Sequence, residues 1–189
     1  MNDKILSVLT ERYSPVAFSD KPIDDDTLQL LFEAASKAPS SYNDQPWHFF
    51  VSRKGDEELY PLLFDALMEA NQAWVKTAPV LMLSVAHMIS PTSGKENRFA
   101  FHDTGMAMGN LLAQATHLGL YVHQMGGYSV SKARKALNLP ENMQPVAMIA
   151  LGYKGDVQQL PESLHEKDEK RSDRKTVDEF VFTQPFQKR

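Results

Sequence analysis

Apolar residues recur at helical spacing in five segments of this chain. The segment after Asp24 is a clear case, because Leu28, Leu31 and Ala35 would share one face of a helix. An aspartate can cap that helix at its start, and Pro39 sets the latest point at which it can end. The five predicted helices cover residues 3–10, about 24–38, 57–71, 101–118 and 131–139.

Alternating or continuous apolar runs predict four strands, at residues 47–52, 79–86, 120–124 and 145–153. In the first of these, Trp47, Phe49 and Val51 would face one side of a sheet. The second is almost entirely apolar, which is typical of a strand that is covered on both faces. Helices and strands alternate unevenly, so the pattern leaves an α/β fold and an α+β fold with one sheet both open.

The chain becomes polar after Gly155. Residues 156–176 are predicted to be a solvated segment, and the following TVDEFVFT is a small apolar arm. With 189 residues, 42% of them hydrophobic, the chain is expected to form a single domain over residues 1–189.

Composition narrows the class of protein. A net charge of -4 argues against a general nucleic-acid binder, which usually presents a net basic face. The absence of cysteine excludes disulfides, thiolate metal sites and cysteine nucleophiles. No signal peptide is recognised in MNDKILSVLTERYSP, and the longest apolar run, 80–86, is too short to span a membrane. A cytoplasmic protein that binds neither nucleic acid nor membrane is therefore expected.

Most familiar catalytic motifs are missing. The six histidines include no HExxH and no closely spaced pair, so no metal site is predicted. No GxGxxG, GxxxxGK[ST] or GxSxG sequence occurs.

Basic residues near hydroxyls are more informative. Arg12 and Ser14 follow the first predicted helix, and Arg171, Arg174 and Lys175 lie in the polar C-terminal segment. An arginine fork beside a hydroxyl suits a phosphate, although solvated surface arginines are the simpler interpretation. Gly126-Gly127 allows either a turn or a close backbone approach to a flat ligand.

One nine-residue run, PSSYNDQPW, occupies residues 39–47. Around it, in order along the chain, stand Arg12-Tyr13-Ser14, Phe18, Pro22, Asn71, Gly126-Gly127 and Arg174-Lys175. This arrangement resembles the nitroreductase family of flavin enzymes, for which the nine-residue run is the most specific motif. The resemblance covers nearly the whole chain.

The resemblance implies an α+β three-layer sandwich, with a central, mostly antiparallel sheet flanked by helices, in an intertwined homodimer. Residues from about 156 to 189 would form an arm that wraps the partner subunit. The implied activity is that of an FMN-dependent oxidoreductase. It would take hydride from NADH or NADPH and pass it through flavin N5 to nitroaromatic or quinone-like small molecules in a ping-pong cycle. Because the flavin carries this chemistry, no catalytic side chain is required.

The resemblance also places FMN at the subunit interface. Arg12, Ser14 and Arg174 would hold the phosphate, Asn71 would bond the pyrimidine side of the ring, and Ser40 and Ser41 would come from the partner. Asn43 would either line the site or brace the turn. The implied cofactor-binding residues are Arg12, Tyr13, Ser14, Pro39, Ser40, Ser41, Asn43, Asn71, Met125, Gly126, Gly127, Arg174 and Lys175.

Three positions depart from the family pattern. Val16 stands where a second basic residue is usual, so Arg171 or Lys175 would have to compensate. Some members have a lysine near the position of Trp74, and some have a glutamate at that of Gly126. Two alternatives therefore stay open: a dehalogenating or flavin-fragmenting member of the superfamily, and a non-catalytic flavin-binding protein.

Overall fold

Four strands form the centre of the computed structural model, which describes residues 4–169 and 171–185. They are β1 (Trp47–Arg53), β2 (Val80–His87), β3 (Tyr121–Met125) and β4 (Met143–Gly152). The sheet order is β1–β2–β4–β3, and each neighbouring pair is antiparallel. All four predicted strands are confirmed, with their ends shifted by one or two residues at most.

Seven α-helices lie in the described part of the chain. They are α1 (Ser7–Glu11), α2 (Asp25–Ser36), α3 (Leu59–Ala66), α4 (Glu69–Val75), α5 (Ala100–His117), α6 (Val130–Ala136) and α7 (His165–Glu169). As predicted, Asp24 caps α2, accepting a hydrogen bond from Thr27 N at 2.7 Å. The first helix is shorter than predicted, and residue 3 lies outside the described residues. None of these helices is long and apolar enough to cross a bilayer.

The single helix predicted over residues 57–71 is wrong. The backbone is extended at Leu67 and Met68, which separates α3 from α4. This break pairs with a distant segment: Met68 N donates to Gly127 O at 3.0 Å, and Ser129 N donates to Ala66 O at 2.7 Å. The backbone groups freed by the break are thus satisfied by residues that follow β3.

Helices cover both faces of the sheet. On one face, α2 and α5 bury Leu31 and Leu111 in a cluster with Ile149 of β4. On the other face, α3, α4 and α6 pack on the sheet around residues such as Leu63 and Trp74. The structure is therefore an α+β three-layer sandwich, as predicted.

The segment after β4 is less solvated than predicted. Leu160 is 7% exposed, and the side chain of Asp168 in α7 is 2% exposed. Farther along, Val177, Phe180 and Phe182 each expose more than half of their surface. Residues 170 and 186–189 of the predicted arm lie outside the described residues, and its contact with a partner subunit stays a prediction.

Candidate functional site

A basic cavity of about 540 Å³ lies between the end of α1 and the C-terminal segment. Arg12, Tyr13 and Ser14 line one side, and Arg171 and Arg174 line the other. Within it, Arg12 Nη1 donates a hydrogen bond to Ser14 Oγ at 3.3 Å. The chain fold thus brings together basic residues that are far apart in the sequence.

The charges in this cavity repel one another. Burial, together with the positive charges of Arg174 and Arg171, lowers the pKa of the Arg12 guanidinium from its usual value. An anion placed among these three arginines would relieve the repulsion and accept their hydrogen bonds. The cavity is therefore a candidate phosphate site.

Arg171 takes part in this cavity, whereas Lys175 does not line it among the described residues. The guanidinium carbon of Arg171 lies over the Tyr13 ring, 4.5 Å from its centroid, and this cation–π contact restrains the side chain. Val16 is fully buried in the hydrophobic core. Arg171 thus lines this cavity together with Arg12 and Arg174, and the Val16 side chain does not reach solvent.

A second group of predicted residues meets at the break between α3 and α4. Asn71 Nδ2 donates to Gly127 O at 2.9 Å. A Cβ added at Gly127 would lie 2.6 Å from that same nitrogen, so a larger residue there would displace the end of the Asn71 side chain. At Gly126 a Cβ would meet nothing within 4 Å, and the Met125 side chain is buried in the core. Gly127 is therefore placed to contribute backbone groups beside Asn71.

The PSSYNDQPW loop adopts left-handed backbone angles, although it contains no glycine. Ser41–Asn43 form a 3-10 turn. In and just after this turn, positive φ angles of 51°, 57° and 46° occur at Tyr42, Asn43 and Gln45. Such angles are strained for residues with a side chain, so surrounding contacts must hold them. Gln45 N donates to Ser40 Oγ at 3.1 Å, and Gln45 Nε2 reaches Asn43 O at 3.4 Å, so Gln45 and the Asn43 backbone brace the turn.

Two aspartates outside the predicted ligand set hold this loop. Buried Asp103, in α5, accepts a hydrogen bond from Ser41 N at 2.9 Å. Asp44 accepts from Thr92 Oγ1 at 2.8 Å. Hydrogen bonds from the hydroxyls of Ser90 and Thr92 lower the pKa of Asp44 from its usual value. The sequence signal for Asp103 is that it is the one acidic residue of α5.

The loop borders a smaller cavity of about 290 Å³. Its lining consists of Pro39, Ser40, Ser41, Phe99, His102 and Asp103. Among the described residues, this lining shares no member with that of the basic cavity. Within one chain, the arginines and the predicted ligands Ser40 and Ser41 therefore border different cavities.

Trp74 lies near a position at which the resemblance expects a lysine in some members. It is fully buried, and its ring centroid is 4.6 Å from that of His123 and 6.2 Å from that of Phe18. Its Nε1 has no hydrogen-bond partner among the described residues. Across residues 4–169 and 171–185, no group of three or more histidine, aspartate or glutamate side chains is arranged to hold a metal ion.

Comparison with known proteins gives consistent matches. A model of the nitroreductase family matches residues 9–71 and 57–153. A crystal structure described as an oxidoreductase containing FMN is 32% identical, with a TM-score of 0.90, covering 99% of this chain and 95% of that one.

Two curated relatives of this chain have different named activities. The FMN reductase [NAD(P)H] of Bacillus subtilis is 27% identical over 82% of this chain and 68% of its own length. The iodotyrosine deiodinase of Haliscomenobacter hydrossis is 24% identical over 80% of this chain and 79% of its own length.

Proposed function

The chain belongs to the nitroreductase family, and we propose that it is an FMN-dependent oxidoreductase that uses NADH or NADPH. Its acceptors are proposed to be nitroaromatic or quinone-like small molecules. The single observation that carries this proposal is the cavity in which Arg12, Arg171 and Arg174 converge beside Ser14.

The residues of this cavity fit the phosphate end of FMN. A phosphate monoester carries nearly two negative charges at neutral pH and presents several strong acceptor oxygens. Three guanidinium groups and a hydroxyl supply the matching charge and donors. Tyr13 restrains one of those guanidinium groups, which reduces the conformational entropy lost on binding.

Asn71 and Gly127 fit the ring end. The Asn71 amide nitrogen is engaged with Gly127 O, which leaves the Asn71 carbonyl oxygen as the acceptor that a ring N–H requires. Backbone N–H groups of residues 125–127 are the donors proposed to stabilise negative charge on the reduced ring. When bound, FMN supplies the hydride-transfer chemistry at N5. Donor and acceptor are proposed to occupy the same face in turn, which is a ping-pong cycle.

A homodimer is proposed to complete each site. The loop containing Ser40 and Ser41 borders a cavity separate from that of the arginines, so one chain can supply the arginines while its partner supplies the loop. Apolar side chains that the single chain leaves exposed support such an association. They are Ile5, Leu6, Leu9, Phe101, Met106, Val177, Phe180, Val181 and Phe182.

A dehalogenating activity is the second candidate. The similarity to an iodotyrosine deiodinase favours it specifically. A non-catalytic flavin-binding protein is the third candidate, and Val16 and Gly126, which depart from the family pattern, are the features that favour it.

An absorbance spectrum of the purified protein tests the main proposal. We expect flavin bands that bleach anaerobically when NADH or NADPH is added, and that recover when a nitroarene or quinone follows. A colourless protein that cannot be loaded with FMN contradicts the proposal. Bound FMN that neither nucleotide bleaches favours the non-catalytic alternative, and release of halide from a halogenated phenol favours the dehalogenating one.

A further inference from the structure

Asp168 has contacts that its position in a polar segment does not predict. Its Oδ1 accepts hydrogen bonds from the backbone N–H groups of Val16 and Ala17, at 2.7 Å and 2.8 Å. Its Oδ2 accepts one from the ammonium of Lys154. The carboxylate is 2% exposed, whereas the Lys154 side chain is 35% exposed. A charged group that is buried so completely is stable only when it is fully paired.

These contacts join three segments of the chain at one point. Val16 and Ala17 directly follow the loop that carries Arg12 and Ser14. Lys154 follows β4, and Asp168 lies in α7 just before Arg171 and Arg174. The carboxylate therefore ties the two halves of the basic cavity to each other.

The neighbouring backbone is fixed in the same place. The ring of His123 makes a hydrogen bond through Nδ1 to Pro15 O at 2.7 Å. Gly155 N donates to Ala17 O at 3.0 Å, and Ser19 N donates to Tyr153 O at 2.9 Å. With residues 15–19 held on this side, the Asp168 contacts are the hydrogen bonds by which α7 is docked onto them.

Resting on the function proposed above, we propose that Asp168 is a positioning residue for FMN. It docks the segment that carries Arg171 and Arg174 onto the loop that carries Arg12 and Ser14. In this chain the phosphate site lacks the second basic residue at Val16, and the docked segment brings Arg171 in its place. Asp168 acts through these arginines and is not itself a phosphate ligand, since both are anionic.

Because Asp168 is negatively charged, a direct electrostatic effect on FMN and a positioning effect predict opposite changes in FMN affinity. Asp168→Asn removes a negative charge near a site for an anion, so direct electrostatics would make FMN bind more tightly. A positioning role predicts that FMN binds more weakly to this variant. The asparagine oxygen can still accept the two backbone N–H groups, but its amide nitrogen would face the Lys154 ammonium, donor against donor.

The experiment compares binding of FMN with binding of riboflavin, which has the same ring and no phosphate. Dissociation constants are measured by flavin fluorescence on apo-protein at fixed salt. For Asp168→Asn we expect FMN to bind about tenfold more weakly, the scale of one charged hydrogen bond. Riboflavin binding is expected to stay within about twofold. Asp56→Asn is a matched control, because Asp56 also accepts two backbone N–H groups, from Glu58 and Leu59, and does not line the basic cavity.

A cycle with Arg171→Ala separates positioning from general damage. If Asp168 acts through Arg171, Asp168→Asn should weaken FMN binding less in the Arg171→Ala background than in the wild type.

Unchanged or tighter FMN binding in Asp168→Asn overturns the proposal, as does equal weakening of FMN and riboflavin. If that variant does not fold, Asp168→Glu keeps the charge but displaces the carboxylate by one methylene. The same selective loss of FMN is expected, and equal affinity for FMN in Asp168→Glu overturns the proposal. A wild-type protein that binds neither flavin contradicts the proposed function instead.

Discussion

At the scale of single residues, Gly127 shows how close packing restricts the choice of side chain. The nearest atom to a Cβ added there is Asn71 Nδ2 at 2.6 Å, below any normal contact distance. The end of the Asn71 side chain would have to move, which would disturb its hydrogen bond to Gly127 O. Its neighbour Gly126 has open space, so two adjacent glycines differ in what they tolerate.

Gly127→Ala is therefore expected to lower the free energy of unfolding by about 1–2 kcal/mol, the scale of a lost hydrogen bond with local repacking. It is also expected to weaken flavin binding through the displaced Asn71. Urea unfolding and flavin titration measure the two effects. Gly126→Ala is the control, and it should be neutral within about 0.5 kcal/mol. Equal effects at the two positions would show that the contact at Gly127 is not the cause.

Arg12→Ala tests the basic cavity directly. Loss of a charged hydrogen bond to phosphate is expected to weaken FMN binding by about 1.5–3 kcal/mol. Arg53→Ala is a suitable control, because Arg53 forms an ion pair with Asp25 at 2.6 Å and does not line the basic cavity. Flavin titration of both variants gives the answer. FMN affinity that is the same in Arg12→Ala and wild type would remove Arg12 from the site.

At the scale of elements, the local apolar pattern predicts the sheet and most helices but not the break at Leu67 and Met68. Apolar spacing continues through the break, since Leu67 is buried like a helix residue. The cause is backbone pairing with Gly127 and Ser129, which lie too far along the chain for a short window of sequence to contain them.

The position of α7 also depends on distant residues. Asp168 looks solvent-exposed in sequence, and its burial depends on Lys154 and on the backbone of Val16 and Ala17. Motif resemblance indicated Arg12 and Arg174, but Asp103 and Asp168 act through contacts formed only on folding.

The docking of α7 should depend on pH. Burial pushes the pKa of Asp168 upward, but the hydrogen bond from Lys154 and those from Ala17 and Val16 outweigh it, so the pKa is lowered. A carboxylate with a lowered pKa in the folded state stabilises the protein above its unfolded pKa, near 4. That stabilisation is lost as the pH falls through the folded value. Wild type should therefore be more stable than Asp168→Asn at pH 7, and this difference should shrink below about pH 4.

Urea midpoints of the two proteins at several pH values measure this difference. Titrating groups that do not interact with Asp168 cancel in the comparison, whereas His123 and Lys154 interact with it. A difference that stays constant from pH 7 to the acid range would mean that the Asp168 charge does not hold α7.

At the scale of the whole molecule, a single chain does not complete the proposed flavin site. Residues 5–9 and the segment after Thr176 expose most of their large apolar side chains. The Thr176–Glu179 capping box still forms, so this segment has local order without a covered apolar face. Exposed apolar surface of this kind is typical of an interface. The proposed homodimer would cover it and bring the Ser40–Ser41 loop of one chain to the arginines of the other.

Mixing two defective chains tests that arrangement. Arg12→Ala damages the basic cavity, and Ser41→Phe obstructs the cavity bordered by the PSSYNDQPW loop. If each flavin site uses arginines from one chain and the loop from its partner, a mixed dimer has one doubly defective site and one intact site. Random pairing then restores about a quarter of the sites, because half of the dimers are mixed and each has one good site of two. If each site lies within one chain, mixing restores none. The two variants are co-expressed with different tags, the mixed dimer is purified, and its FMN binding is measured by flavin titration. A shared site requires that the mixed dimer binds FMN tightly at one of its two sites, whereas dimers of either variant alone do not.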